Sequence, residues 1–115
     1  MTARKRKILF VCGRNQWRSP TAVEIYKNDL RIETRSAGVS EKSPHQISNA
    51  DIDWADLILV MEIEQKSRIQ ALFRARRLPA IKSLDIPDEY GYMDQELIGL
   101  IMTGVEYHIG QLQNE

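Results

Sequence analysis

Short apolar runs alternate along this chain with longer segments in which apolar residues recur at helical spacing. The short runs are apolar enough to lie buried in a parallel sheet, and they predict β-strands at 7–11, 33–37, 57–61 and 80–84. The longer segments predict helices at 19–30, 64–74 and 94–113. Because strands that alternate with helices form right-handed crossovers, the pattern predicts an α/β fold with three layers, an open four-stranded parallel sheet with helices on both faces.

Two segments refine this picture. The last helix carries an apolar stripe that is typical of packing against a core, formed by Leu97, Ile98, Ile101, Val105, His108, Ile109 and Leu112. The connection 39–54 is rich in Ser, Asn and Asp, so we expect a surface segment with at most one turn of helix.

A lone cysteine, Cys12, follows the first strand and stands in the turn that leads to the first helix. A ligand crevice in an open parallel sheet lies at the carboxyl ends of the strands, and the helix N-terminus supplies N–H groups and a positive dipole. Such a turn holds an anion and favours a thiolate over a thiol. A cysteine at a strand end is also commonly a packing residue, and the spacing to Arg18 alone is weak evidence.

Three residues after the turn strengthen the anion-site interpretation. Arg18 carries a planar guanidinium that grips two phosphoryl oxygens, and the Ser19 hydroxyl is a donor for the Cys12 sulfur. Pro20 fits the first turn of a helix, where its missing N–H costs nothing. A strand, this loop and a helix that begins with Ser-Pro together predict a phosphate-binding loop.

Four segments carry a family resemblance. Residues 11–22 resemble the phosphate-binding loop of the low-molecular-weight protein tyrosine phosphatases, whose pattern is V-C-x-G-N-x-C-R-S-P-x-A-E. Residues 35–38 look like the S-A-G that ends the second strand of that family, and residues 55–62 look like its third strand, A-D-L-I-L-V-M-D. Residues 86–90 resemble the loop of its general acid, D-P-Y or D-P-W, so the likeness spans nearly the whole chain.

The resemblance implies roles for individual residues. Cys12 is the nucleophile that forms a cysteinyl-phosphate, and Arg18 holds the phosphoryl oxygens. Asp88 is the general acid and then the base toward water, with Asp85 as the alternative acid because it lies nearer the strand end. Phosphate binding and support of the loop fall to Gly13, Arg14, Asn15, Gln16, Trp17, Ser19 and Ser36, with Asn15 in contact with Ser36.

The chain also departs from the family pattern. Arg14 replaces the loop glycine, so either the turn differs or Arg14 points outward from a position that takes a positive φ. Trp17 replaces the second loop cysteine, so no vicinal disulfide can form within one molecule. The segment 39–54 is shorter than its counterpart, and we expect one wall of the usual cleft to be missing. His45 lies near a histidine that supports the loop in the family, although a lone histidine in a polar loop is commonly just exposed.

Composition limits the remaining possibilities. The chain has 115 residues, 43% of them hydrophobic, which suits one domain with a single phosphatase-like fold over 1–115. Sixteen basic residues balance sixteen acidic ones, so no global field indicates a nucleic-acid partner. No apolar run approaches a membrane span or the core of a signal peptide, and with an unpaired thiol this predicts a cytoplasmic protein. No clustered Cys/His spacing indicates a metal, and no cofactor is implied.

The sequence therefore predicts a metal-independent phosphomonoester hydrolase, by resemblance a protein tyrosine phosphatase that acts through a cysteinyl-phosphate on a phosphorylated protein or a small aryl phosphate. One alternative is a non-catalytic module that binds phosphate or a phosphoprotein. The other is an arsenate reductase, which is disfavoured because the thioredoxin-coupled type relays oxidation through additional cysteines and this chain has one.

Overall fold

A computed structural model describes residues 4–113 of the chain. Its sheet has four parallel strands, which are β1 (Arg6–Cys12), β2 (Ile32–Gly38), β3 (Leu57–Val60) and β4 (Ala80–Ser83). Their spatial order is β2-β1-β3-β4, so the chain runs from β1 to β2 on one side, then crosses back past β1 to β3 and β4 on the other. The carboxyl ends of β1 and β3 meet at this switch in strand order, which is where open α/β sheets bind ligands.

Four helices connect and cover the strands, and they are α1 (Arg18–Tyr26), α2 (Asn49–Trp54), α3 (Ile63–Leu72) and α4 (Gln95–Gln113). The predicted strands and the three predicted helices are all present, with ends that differ by no more than four residues. The largest of these differences is at the end of α1, which stops at Tyr26 rather than residue 30. The chain turns there because the Asp29 N–H bonds to the Tyr26 carbonyl and the Asp29 carboxylate accepts from the Arg31 N–H.

Side chains of β1 alternate between two hydrophobic cores, one on each face of the sheet. Ile8, Phe10 and Cys12 pack with residues of α1 and α4, whereas Leu9 and Val11 pack with residues of α2 and α3. The predicted stripe of α4 lies against the first core, with Leu97, Ile101, Val105 and Ile109 fully or nearly fully buried. The three-layer α/β architecture predicted from the alternation is confirmed.

The connection 39–54 is more ordered than its polar composition predicts. It contains α2, six residues long, where at most one turn of helix was expected. Ser48 and Asp51 form a reciprocal capping box at its start, and Ile52 together with the preceding Ile47 is buried in the second core. The expectation was wrong because it weighed polar composition and not the cap or the two apolar anchors.

The sequence predicted neither a membrane-spanning helix nor a signal peptide. Among residues 4–113, no helix combines the length and the apolar character that crossing a membrane requires. The sequence argument about a leader segment also involves residues 1–3, which lie outside the described residues.

Candidate active site

Cys12 is the last residue of β1 and only 3% of its surface is exposed. Its Sγ lies 3.0 Å from the Ser19 Oγ, a distance at which the hydroxyl donates to the sulfur of a thiolate. Cys12 nevertheless borders a cavity of about 20 Å³, the space of roughly one water molecule. We call this cavity the sulfur pocket; its other lining residues are Arg14, Gln16, Trp17, Arg18 and Asp88.

The loop from residue 13 to residue 17 carries main-chain N–H groups that donate to no acceptor within residues 4–113. The carbonyls at the start of the loop already accept hydrogen bonds. The Cys12 carbonyl accepts from the Val39 N–H at 3.1 Å, and the Gly13 carbonyl accepts from the Ser40 N–H at 2.9 Å. These bonds direct carbonyls toward the segment after β2. Consecutive free N–H groups at the start of a helix form a cradle for an anion.

The turn takes its positive φ at Asn15, where φ is 55°, and not at Arg14 as the family pattern suggested. Asparagine tolerates this left-handed conformation better than most residues, which explains why a glycine is not needed. Arg14 is exposed, in agreement with the second of the two alternatives, an outward-pointing side chain. Gln16 and Trp17 are exposed as well, so three long side chains surround the mouth of the sulfur pocket.

Asn15 braces the loop through a partner that differs from the one expected. Its buried amide donates to the Ser19 Oγ at 3.0 Å, the same hydroxyl that contacts the sulfur. The implied contact with Ser36 is not formed as a hydrogen bond among the described residues. Ser36 lies half-buried on β2, where it pairs with Phe10.

Gly38, the last residue of β2, lies close to the phosphate-binding loop. The family resemblance gave this glycine no role of its own. A Cβ atom there would lie 2.9 Å from the Asn15 main-chain nitrogen and 2.0 Å from the Ser43 Oγ. Only glycine therefore lets β2 end so close to the loop. The S-A-G segment was the available signal, because its glycine closes the strand beside the loop.

Arg18 is held by groups from two other parts of the chain, and its side chain is 4% exposed. Its Nη1 donates to the Glu62 carboxylate and, at 2.7 Å, to the Ile86 carbonyl, while its Nε lies 3.7 Å from an Asp88 carboxylate oxygen. Its Nη2 has no acceptor within residues 4–113, so that face of the fork is available to an anion. The guanidinium is thus fixed in orientation before any ligand arrives.

Sequence reasoning missed Glu62 as a site residue. The signal was present, because Glu62 occupies the acidic position that ends the matched third-strand pattern. Its main chain is fixed by the buried Gln65, whose Oε1 accepts from the Met61 N–H at 2.8 Å and the Glu62 N–H at 2.9 Å. Glu62 therefore presents its carboxylate to Arg18 from a rigid helix start.

The two candidate acids lie in different places. Asp88 borders the sulfur pocket beside Arg18. Asp85, with φ 56°, accepts from the Ser83 hydroxyl at 2.7 Å and borders a separate hollow with Glu62, Ile63, Glu64 and Pro87. Only Asp88 is therefore near the sulfur pocket.

A wide cleft of about 620 Å³ adjoins the sulfur pocket, and the two share Arg18 and Asp88. Residues of α3 form one side of it, whereas the 39–54 segment contributes only Val39. His45, from the same segment, lies away from this lining and its ring bonds to Asp51 at 2.8 Å.

Comparisons with known proteins identify the fold. No protein-family model matches the chain, and no curated protein matches it in sequence. Among solved structures, the YwlE arginine phosphatase from Geobacillus stearothermophilus is 26% identical, with a TM-score of 0.68 over 96% of this chain and 97% of that one. Wzb from Vibrio vulnificus, solved with benzylphosphonate, is 23% identical, with a TM-score of 0.74 over 94% and 99%.

A third structure carries the family name itself. SP-PTP, a low molecular weight protein tyrosine phosphatase from Streptococcus pyogenes, is 20% identical, with a TM-score of 0.71 over 93% of each chain. The fold implied by the four matched segments is therefore confirmed, since the chain has the architecture of these phosphatases over nearly all of its length.

Proposed function

We propose that the chain is a metal-independent phosphomonoester hydrolase of the low-molecular-weight protein tyrosine phosphatase type, with Cys12 as its nucleophile. One observation carries the proposal. A single sulfur borders a pocket beside unbonded main-chain N–H groups and a guanidinium whose orientation is fixed by Glu62 and Ile86. That combination binds a tetrahedral dianion and stabilises the charge that develops on it during transfer.

The reaction has two steps. In the first, the Cys12 thiolate attacks phosphorus, the bond from phosphorus to the leaving oxygen breaks, and Asp88 gives its proton to that oxygen. In the second, the Asp88 carboxylate takes a proton from water as the water oxygen attacks phosphorus, and the sulfur–phosphorus bond breaks to release inorganic phosphate. Ser19, at 3.0 Å, donates a hydrogen bond to the sulfur as it leaves.

The contacts around Arg18 suit both steps. Nη1 is occupied by protein acceptors, and Nη2 remains for an equatorial phosphoryl oxygen. The N–H groups of residues 13–17 serve the other oxygens. Because both donor sets are organised beforehand, little reorganisation accompanies the transfer.

Structures of the same fold support an aryl or protein phosphate as the substrate. One of them is described as a tyrosine phosphatase and another was solved with benzylphosphonate. The 26% identity to an arginine phosphatase favours phosphorylated arginine as a second candidate substrate. We expect the partner to be a phosphorylated protein, and the cytoplasmic location stays a prediction from the unpaired thiol.

Turnover of an aryl phosphate by the purified chain is the direct test. Cys12→Ser is expected to lower turnover by at least about a thousandfold, because the nucleophile is lost, while phosphate binding and the thermal midpoint stay close to those of the parent. Rapid alkaline denaturation of the parent during turnover, which preserves the sulfur–phosphorus bond, should trap phosphate on sulfur. Retained turnover in Cys12→Ser would falsify the nucleophile assignment.

The same measurements separate the alternatives. Phosphate binding without turnover in the parent protein would identify the non-catalytic module. Consumption of arsenate with an added thiol, without phosphate release from any ester, would identify the reductase. Parallel assays with phosphotyrosine and phosphoarginine peptides of one sequence rank the two substrate classes by kcat/KM.

A further inference from the structure

The loop that carries Asp88 is attached to the rest of the protein at its two ends. At its start, the Ile86 N–H donates to the Met61 carbonyl at 2.7 Å, and the Ile86 carbonyl accepts from Arg18. At its end, the Met93 N–H donates to the Thr21 Oγ1 at 2.9 Å. Residues 87–92 lie between these two attachments.

Few other contacts restrain the loop. The main-chain N–H groups of residues 88–92 donate to no acceptor within residues 4–113. The side chain of Asp88 is 65% exposed and lies 3.7 Å from the Arg18 Nε. The Tyr90 ring is partly buried against the first core, and the Gly91 carbonyl accepts from the Asp94 N–H at 3.2 Å. The position of Asp88 over the sulfur pocket therefore depends strongly on the attachments at the loop ends.

Thr21 is well suited to hold one of these ends. It is fully buried, and its hydroxyl donates to the Trp17 carbonyl at 2.7 Å. Because a hydroxyl has one proton, its bond with Met93 must run in the other direction, with the oxygen accepting from the N–H. Met93 takes a φ of 61°, a conformation unfavourable for a side chain of this length, so an external bond is needed to select it.

Thr21 also touches the phosphate-binding loop. The Thr21 hydroxyl donates to the carbonyl of Trp17, and Trp17 borders the sulfur pocket. Arg18 and Thr21 lie about one turn apart on α1. The first turn of α1 thus holds the acid loop at its start through Arg18 and at its end through Thr21. One hydroxyl links the phosphate-binding loop to the segment that carries the acid.

We propose that Thr21 is a positioning residue for the general acid, which it holds in register with the sulfur pocket through Met93. This proposal rests on the proposed function, because it assigns Asp88 a proton to deliver. It predicts that losing the hydroxyl impairs protonation of the leaving group more than attack by the thiolate.

The test compares Thr21→Val, which keeps the shape but neither hydrogen bond, with Thr21→Ser, which keeps the hydroxyl. Thr103→Val, at an exposed position of α4, is the matched control. For phenyl phosphate, whose leaving group needs a proton, Thr21→Val should lower kcat/KM, which reports the first step, about ten- to a hundredfold. For 4-nitrophenyl phosphate, whose leaving group needs little help, the loss should be less than about threefold. Thr21→Ser should restore most of the parent ratio.

Amide hydrogen exchange at Met93 gives a readout that does not depend on turnover. The Met93 N–H should be protected in the parent and in Thr21→Ser and should exchange faster in Thr21→Val. Equal losses on the two esters, no loss, or unchanged protection at Met93 would each overturn the proposal. A parent protein that hydrolyses neither ester would instead refute the proposed function and with it the catalytic role of Thr21, even if the exchange result shows the bond to be present.

Discussion

Two strand-to-helix turns lie side by side at the carboxyl edge of the sheet, and they differ in whether their main-chain N–H groups are hydrogen-bonded to protein acceptors. The turn from β1 to α1 leaves the N–H groups of residues 13–17 without acceptors in the described part of the chain, and Trp17, the N-cap of α1, makes no side-chain cap hydrogen bond. The turn from β3 to α3 is closed by its own side chain, because Gln65 accepts from the N–H groups of Met61 and Glu62. We call them the open turn and the closed turn.

The difference in hydrogen bonding indicates different roles for the two turns. A helix start whose donors are left unbonded is costly in a protein interior unless water or an anion satisfies them. The open turn therefore fits a ligand-binding role, whereas the closed turn is a rigid platform. Glu62 stands on that platform and fixes the Arg18 guanidinium that serves the open turn. The closed turn thus supports the open one without needing a ligand itself.

The largest expected effect distinguishes the two acids, because Asp88 faces the open turn and Asp85 lies by the closed one. Asp88→Asn should lower kcat/KM on phenyl phosphate by about a hundredfold or more, and less on 4-nitrophenyl phosphate, because the amide has no acidic proton to give to the leaving group in the first step. Asp85→Asn is the matched control and should change kcat less than about threefold. If the pattern appears in Asp85→Asn instead, the acid role moves to Asp85 and the loop must rearrange on binding.

The next effect concerns stability and compares one glutamine from each turn. Gln65→Ala should lower the free energy of unfolding by about 1–3 kcal/mol, because the Glu62 N–H loses its acceptor in a partly buried site. Gln16→Ala, at the exposed mouth of the open turn, should change it by less than about 0.5 kcal/mol. Urea unfolding measures both. A cost at Gln16 equal to that at Gln65 would show that the open turn is also closed by its own side chains.

The fold was predictable because its signals are local. Strands buried on both faces are apolar over most of their length, as in 8–11 and 57–61, and the alternation with helices leaves few topologies. The cap of α2 is also a local signal, formed by Ser48 and Asp51. It was overlooked because the surrounding segment is polar and reads as a loop.

Residue spacing predicted the parts of the site that are close in sequence, whereas Asp88 was named by family resemblance. Cys12, Arg18 and Ser19 belong to one loop, so their spacing carries the prediction. The bonds from Arg18 to Glu62 and from Thr21 to Met93 join residues 44 and 72 positions apart, and no local pattern specifies them. The positive φ falls on Asn15 because the conformation follows from the whole turn and not from the position of a glycine in another sequence.

Ion pairs lie at the opposite, amino edge of the sheet. Arg31 donates to both Asp29 and Glu106, which connects the start of β2 to α4. Asp56 accepts from the Arg4 side chain and, at 2.8 Å, from the Lys7 N–H. Hydrogen bonds from these arginines are the main cause that lowers the pKa of Asp29, Asp56 and Glu106.

The smallest effect follows from that edge and should appear on acidification. The pKa of Glu106 is lowered from its ordinary 4.5, so the unfolded chain binds this proton first and the stabilisation is lost as the pH falls below 4.5. Burial lowers the pKa of His108 below its ordinary 6.5, which adds a loss with the same sign at higher pH. Glu106→Gln should flatten the fall of the thermal midpoint below pH 4.5, whereas Glu41→Gln, at an exposed position, should not. If the thermal midpoints of the two variants fall in parallel as the pH is lowered, protonation of Glu106 is not the cause of the lost stability.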